Sequence, residues 1–168
     1  MADNFNTNTK NNGEWLTPKY ITDFFDFDLD PCSPIEKPWA TAKKHFNIND
    51  DGLTQPWNGF VFCNPPYGRE TYTWMKKCHE HDNCIGLTFA RTETKGFHSE
   101  VWEKASAIFF FKGRLAFHYV TGERGNVANA PSVLIAYGLN AVEELYRFSK
   151  ENNGRLVILD ETKKIKFR

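Results

Sequence analysis

Phe60-Val61-Phe62-Cys63-Asn64-Pro65-Pro66-Tyr67-Gly68 is the stretch whose residue types could do chemistry. A nearly continuous apolar run, as expected of a strand buried on both faces, stops abruptly at an Asn, two prolines and an aromatic. Two consecutive prolines remove two backbone donors and fix two φ angles. The loop is therefore rigid, and its carbonyls are free to accept from something else. The Asn64 side-chain oxygen and a proline carbonyl can point at one spot, with Tyr67 beside them as a stacking face. That set suits a planar amino group such as the exocyclic amine of adenine, a poor nucleophile because its lone pair is delocalised into the ring. Two acceptors holding both N–H bonds push the nitrogen toward a pyramidal, more nucleophilic geometry. They also favour the positive charge that develops during attack, a form of electrostatic preorganisation. A stacked aromatic fixes the angle of approach. The plain alternative is a double-proline turn closing an ordinary strand.

The elements that must hold this loop read as alternating strands and helices. Thr17-Pro18 marks a helix start, with Thr as cap and Pro at the first helical position. Tyr20, Ile21, Phe24 and Phe25 then fall on one helical face. Residues 27–30 form a short strand ending at Pro31, and a short helix is expected around 41–45. After the strand at 59–63 come a helix over 69–82, a strand over 84–90, a helix over 97–104 and a strand over 106–112. Strands at 115–119 and 132–137, a helix over 141–150 and a terminal hairpin over 156–159 and 164–167 complete the chain. Such alternation predicts an α/β fold with a mostly parallel, partly mixed sheet, whose ligands sit at the carboxyl ends of the strands. Both Asp30-Pro31 and Asn64-Pro65-Pro66-Tyr67 fall at such ends.

The 168 residues suit one domain, with residues 1–13 as a loose polar tail and residues 14–168 as the folded unit. An aromatic share of 15% gives a short chain large core residues and flat faces for stacking. Formal net charge is zero, which excludes a strongly basic nucleic-acid coating protein. The balance hides an asymmetry. Residues 1–90 carry 8 basic and 12 acidic side chains, residues 91–168 carry 13 and 9, so a polyanion should meet the second half. The four cysteines are irregularly spaced, and no signal peptide or membrane span is seen. The expectation is a cytosolic protein with reduced thiols. Cys78-His79-Glu80-His81-Asp82-Asn83-Cys84 lacks a paired Cys-x-x-Cys and is not read as a zinc site. Cys63 is read as core rather than nucleophile, and the basic end at 163–168 as solvated.

The Asn-Pro-Pro-Tyr motif after an apolar strand resembles the catalytic motif of S-adenosylmethionine-dependent amino-methyltransferases. The sequence looks closer still to their phage-type DNA N6-adenine methyltransferase (Dam-like) branch. The likeness covers roughly residues 14–138. It runs through Trp15-Leu16-Thr17-Pro18, Phe27 to Ser33, Asp51-Gly52-Leu53, Trp57, the motif itself, Trp74 and Gly113-Arg114-Leu115-Ala116-Phe117. The resemblance implies a single-domain Rossmann-like methyltransferase fold that moves a methyl group from S-adenosylmethionine to N6 of adenine in double-stranded DNA. The base would be flipped out of the helix to reach the pocket, and no metal is needed. GATC is the first recognition sequence to test, and a phage origin would place the protein in the host cytoplasm. Oligomeric state is not legible.

Carried over by position, Asn64 and Pro65 hold the target amine, with Pro66 and Tyr67 completing the motif and Tyr67 stacking on the base. Trp15, Thr17 and Pro18 line the methionine end of the cofactor, unless Thr17-Pro18 is a plain helix cap. Asp30, Pro31 and Cys32 form the acidic turn facing the cofactor, with Asp28 able to exchange roles with Asp30. Asp51 and Leu53 grip the cofactor's adenine, with Asp50 a rival for Asp51. Phe117 packs on the flipped base or is a core aromatic. Arg91 and Lys95 sit at the catalytic edge. Arg114 meets phosphate or an ion-pair partner. Arg124 and Asn126 lie in a polar loop over 122–130 with room to touch base edges. One feature departs from the family pattern: Asp30-Pro31-Cys32-Ser33-Pro34 contains no Gly where a glycine-rich loop is usual. A protein-glutamine or RNA-adenine methyltransferase, and a nucleic-acid-binding module without catalysis, remain as alternatives.

Overall fold

Strands that are apolar on both faces need a cover on both sides, and the computed structural model, which describes residues 14–160, provides it. Strand β1 (Trp15–Leu16) leads into a one-turn helix α1 (Lys19–Thr22), then β2 (Leu29–Asp30), β3 (Lys44–His45) and β4 (Val61–Cys63). Helix α2 (Thr71–His81) follows, then β5 (Cys84–Phe89), a short helix α3 (Lys95–Phe97) running into a π-helical turn (His98–Trp102), and β6 (Ala107–Phe111). The chain ends with β7 (Ala116–Tyr119), β8 (Arg124–Val127), β9 (Ser132–Tyr137), α4 (Leu139–Glu151) and β10 (Gly154–Ile158).

Seven strands form one sheet in the order β10-β6-β9-β5-β4-β2-β3, and β1-β7-β8 form a smaller one. Side chains alternate between the two faces of the large sheet. Phe60, Phe62, Ile85, Leu87, Leu134 and Ala136 pack with Val142, Leu145 and Phe148 of α4 on one side. Val61, Cys63, Ile108, Val133, Ile135 and Tyr137 pack with Trp74, Met75 and Cys78 of α2 on the other.

The expected mostly parallel sheet is corrected by the pairing. β2, β3, β4 and β5 are mutually parallel. β9 runs antiparallel to both β5 and β6, β10 runs antiparallel to β6, and the small sheet is antiparallel throughout. The reason is the connection. Parallel neighbours need a crossover of a dozen or more residues, usually a helix. Between β6 and β9 the chain makes a two-strand excursion with no helix, so β9 returns antiparallel into the gap between β5 and β6.

Other local expectations also shift. Thr17 does not cap α1, since Pro18 takes the cap position and no side-chain cap bond forms. The helix expected at 41–45 is instead the edge strand β3, paired to β2. The polar loop at 122–130 contains β8. β10, the first strand of the expected terminal hairpin, pairs with β6. The tail at 1–13 and the basic end at 163–168, including the strand expected at 164–167, lie outside the described residues. Among the described residues, no helix is long and apolar enough to cross a membrane.

Gly138 joins β9 to α4 at φ +94°, and a Cβ there would run into the Asp82 carbonyl. Gly138→Ala is expected to lower the unfolding free energy by about 2–3 kcal/mol, read as a fall in urea midpoint. An unchanged midpoint would contradict this packing.

Candidate active site

The carboxyl ends of β2, β4 and β5 open on one side into a cleft of about 1490 Å³. β4 lies between β2 and β5, so the loop that follows it emerges at the cleft's centre. Asn64 donates from Nδ2 to the hydroxyl of Thr17 (3.1 Å), and Thr17 is 2% exposed. This bond turns the amide so that Oδ1 accepts no hydrogen bond among the described residues. The Pro66 carbonyl accepts from the Thr71 hydroxyl (3.1 Å), and the Gly68 N–H donates to the same Thr71 oxygen (2.9 Å). Thr71, the first residue of α2, thereby pins the loop from its far end. The Pro65 carbonyl accepts no hydrogen bond among the described residues. Two acceptors, Asn64 Oδ1 and Pro65 O, are thus left without internal partners on a loop held at both ends.

Tyr67 lines the cleft, with its ring 4.4 Å from that of Phe89 and 6.3 Å, edge to face, from that of Phe117. A base held between two parallel rings needs about 7 Å between them. In this conformation Phe117 therefore supports Tyr67 from the side rather than forming an opposite wall. Phe117 is 4% exposed yet borders the cleft. The Tyr67 hydroxyl is buried without a partner among the described residues, and burial raises its pKa, which keeps the ring neutral.

On the other wall, Trp15, Pro31, Cys32, Asp51 and Leu53 all line the cleft. Asp30 does not. Its carboxylate lies beneath the floor, 2% exposed, accepting from the Thr41 hydroxyl and from the Cys32 N–H (3.1 Å). Together with Thr17 and Asn64 it borders a separate void of about 10 Å³. Asp28 also faces elsewhere. It accepts from the Phe60 N–H (2.8 Å) and pairs with Lys43 (3.0 Å), bracing β2 to β4, and the Phe60 bond first and then Lys43 lower its pKa. Asp50 accepts from the Asn47 N–H (2.8 Å) and closes a turn outside the cleft lining. Asp51, exposed at φ 52°, is the acid of the pair that faces the cleft. Gly52 below it has no room for a Cβ against the Pro31 carbonyl. Pro18, at the head of α1, lies outside the lining.

Glu14, Asp51, Glu70 and Glu93 border the cleft, against Arg91 as its basic residue. Such a surface favours a cation inside and leaves phosphates to the rim. Arg91 lies 5.9 Å from the Phe89 ring. Lys95, Arg124 and Asn126 are exposed outside the cleft lining. Arg114 donates to the Asn129 carbonyl (2.8 Å) and more weakly to that of Ala128 (3.4 Å). It therefore clasps the chain entering β9 and forms no ion pair among the described residues. All four cysteines are free. Among the described residues, no group of three or more His, Cys, Asp or Glu is placed to hold a metal.

Sequence reasoning passed over Thr71, Glu70, Ile48 and Lys77. Thr71 had a readable signal, a hydroxyl residue opening a helix just after Pro-Pro-Tyr-Gly. Ile48, 81% exposed at the cleft rim, has none, because no periodicity marks a lone apolar residue in a loop.

Burial raises the Asp30 pKa from 3.8 to about 6, with Thr41, the Cys32 N–H and Lys37 opposing. The folded chain thus holds this proton more tightly than the unfolded chain. Asp30's contribution to stability is present below pH 4 and is lost as pH rises through about 6. The stability of the native chain relative to Asp30→Asn should therefore decline by about 2 kcal/mol between pH 4 and pH 7, read from urea midpoints. A pH-independent difference would contradict the burial of this carboxylate.

The geometry brings two free acceptors and an aromatic face to the mouth of a cleft suited to a cation. Comparison with curated proteins and with solved structures gave no match. The profile of the DNA N-6-adenine-methyltransferase (Dam) family matches residues 4–159. With nearly its whole length matched, the chain belongs to the DNA N-6-adenine-methyltransferase (Dam) family.

Proposed function

We propose that the chain methylates the N6 amino group of adenine in double-stranded DNA with S-adenosylmethionine as methyl donor. The observation that carries this is the pair of acceptors without a partner among the described residues, Asn64 Oδ1 and Pro65 O, on the braced loop after β4, in a chain of this family. S-adenosylmethionine would supply an electrophilic methyl group on a sulfonium. The donor set fits it. The cleft is large enough, and its acids outnumber its base, which favours a ligand carrying sulfonium and ammonium charges. Asp51 and Leu53 would border its adenosine end, and Trp15, Pro31 and Cys32 the rest. Asp30 would act from below, fixing the Pro31-Cys32 turn through the Cys32 N–H. The parallel run β3-β2-β4-β5 is the part of the sheet we read as Rossmann-like.

The residues of the loop then have separate tasks. Asn64 and the Pro65 carbonyl accept the two N–H bonds of the target amine and hold its lone pair toward the cleft interior. Their negative ends also favour the charge that grows on nitrogen. Tyr67 offers one face to a flipped adenine, backed by Phe89 and Phe117. No ionised base is required, because the proton leaves after the methyl group arrives. Arg91, Lys95, Arg124 and Asn126 are the rim groups proposed to meet DNA.

Asn64→Ala is expected to lower kcat for methylation of unmethylated duplex DNA by about 10²–10³-fold, with S-adenosylmethionine still raising the melting temperature. The readout is labelled N6-methyladenine in digested nucleosides. Near-native turnover in the variant would remove Asn64 from the chemistry. A folded native chain that binds the donor but leaves DNA unmethylated would redirect the reading to RNA or a protein amide.

A further inference from the structure

We propose that Lys77 is a positioning residue that sets the cofactor-side turn at a fixed distance from the Asn64–Tyr67 loop. The inference rests on the function proposed above and names a determinant of donor affinity that lies outside the cleft. Lys77 sits on α2, six residues after Thr71. Its ammonium donates to the carbonyls of Leu53 (2.5 Å) and Gln55 (2.7 Å) and lies 5.1 Å from the Trp57 ring. A lysine has three donors and a flexible stem. Two of the donors here hold backbone carbonyls of one turn, at a partial loss of hydration that lowers the ammonium's pKa. A half-buried lysine gains little from such bonds, after the hydration it gives up, unless the turn itself needs holding.

The turn has reason to need it. It carries Asp51 at positive φ and Gly52 wedged against the Pro31 carbonyl. It is not part of a strand or helix. Within itself it is closed by the Thr54 N–H and hydroxyl on the Asp51 carbonyl (both 2.9 Å) and by the Gln55 amide on the Asp50 carbonyl (2.7 Å), and the Trp57 indole N–H donates to the Gly52 carbonyl (2.8 Å). Trp57 in turn stacks on Trp74 of α2, with ring centroids 6.3 Å apart. The same helix thus grips both walls: through Thr71 it holds the Pro66 carbonyl, and through Lys77 it holds Leu53 and Gln55. Six residues of α-helix span roughly 9 Å, and the hydrogen-bonded backbone keeps that spacing stiff. Methyl transfer is sensitive to such spacing, since a 1 Å misplacement can cost roughly 10²-fold.

Lys77→Met keeps the stem over Trp57 and removes the donors, while Lys77→Arg restores a cation. Two readouts are needed. Hydrogen exchange of the free protein reads the brace directly, and calorimetric affinity for S-adenosylmethionine, with KM for duplex DNA alongside, reads its use. Lys77→Met should speed exchange in residues 51–57 and weaken S-adenosylmethionine about tenfold. KM for DNA should stay near native, and Lys77→Arg should recover most of the loss. Unchanged exchange overturns the brace. Faster exchange with native donor affinity, or equal losses for donor and DNA, overturns the positioning role. If Lys77→Met does not fold, Trp57→Phe, which removes the indole bond to the Gly52 carbonyl and trims the ring beside Lys77, should show the same donor-selective loss, and native donor affinity in it overturns the proposal. A native chain that binds no S-adenosylmethionine, with exchange still faster in the variant, overturns the functional reading instead.

Discussion

The amide of Asn64 donates to the buried hydroxyl of Thr17 at 3.1 Å, and the site depends on that bond. An asparagine side chain can face either way, and only one orientation leaves its oxygen toward the cleft. Thr17 settles the choice from outside the large sheet, directly after β1, which belongs to the small sheet with β7 and β8. The large sheet delivers Asn64 through β4, and the small sheet decides which atom it presents. Tyr67 is set by the same partnership, resting on Phe89 of β5 and Phe117 of β7. The excursion through β7 and β8 that breaks the parallel pattern also builds the second wall of the site.

Electrostatics divide the molecule in a consistent way. Acids border the cleft, where a cationic donor would lie. Lys95, Arg114 and Arg124 belong to the more basic second half and lie outside the cleft lining. A uniformly basic cleft would attract phosphate into the space the donor must occupy. Burying Asp30 follows the same logic. Its carboxylate braces the Pro31-Cys32 turn from below, so that turn meets the cleft with backbone and thiol rather than with a charge.

Much of this was legible in the residues. The strand over 61–63, the helix over 71–81 and the double-proline loop between them announce themselves by apolar runs, periodicity and rigid punctuation. Trp15, Pro31, Cys32, Asp51, Leu53 and Tyr67 do meet in one cleft. What was not legible is direction and depth. Nothing in Ser132–Tyr137 distinguishes a parallel strand from an antiparallel one, because both are buried on two faces. Asp28, Asp30 and Asp50 are drawn away from the cleft by the backbone N–H each finds, and those partners lie 2 to 32 residues away. Arg124 to Val127 looked like a loop because its side chains are polar or small, and a β-edge over a small sheet has only one face to bury. Lys77 carries no signal in the sequence, since its partners are carbonyls more than 20 residues distant.

The central claim is that the amine to be methylated is held by Asn64 Oδ1 and the Pro65 carbonyl. A crystal structure of the chain with S-adenosylhomocysteine and a short adenine-containing duplex tests it most directly. The account predicts a flipped adenine with N6 within about 3 Å of both oxygens, its ring on Tyr67, and the homocysteine sulfur on the Cys32 side of the cleft. An adenine amine bound to other groups, or a cofactor seated away from Pro31, Cys32 and Asp51, would contradict it.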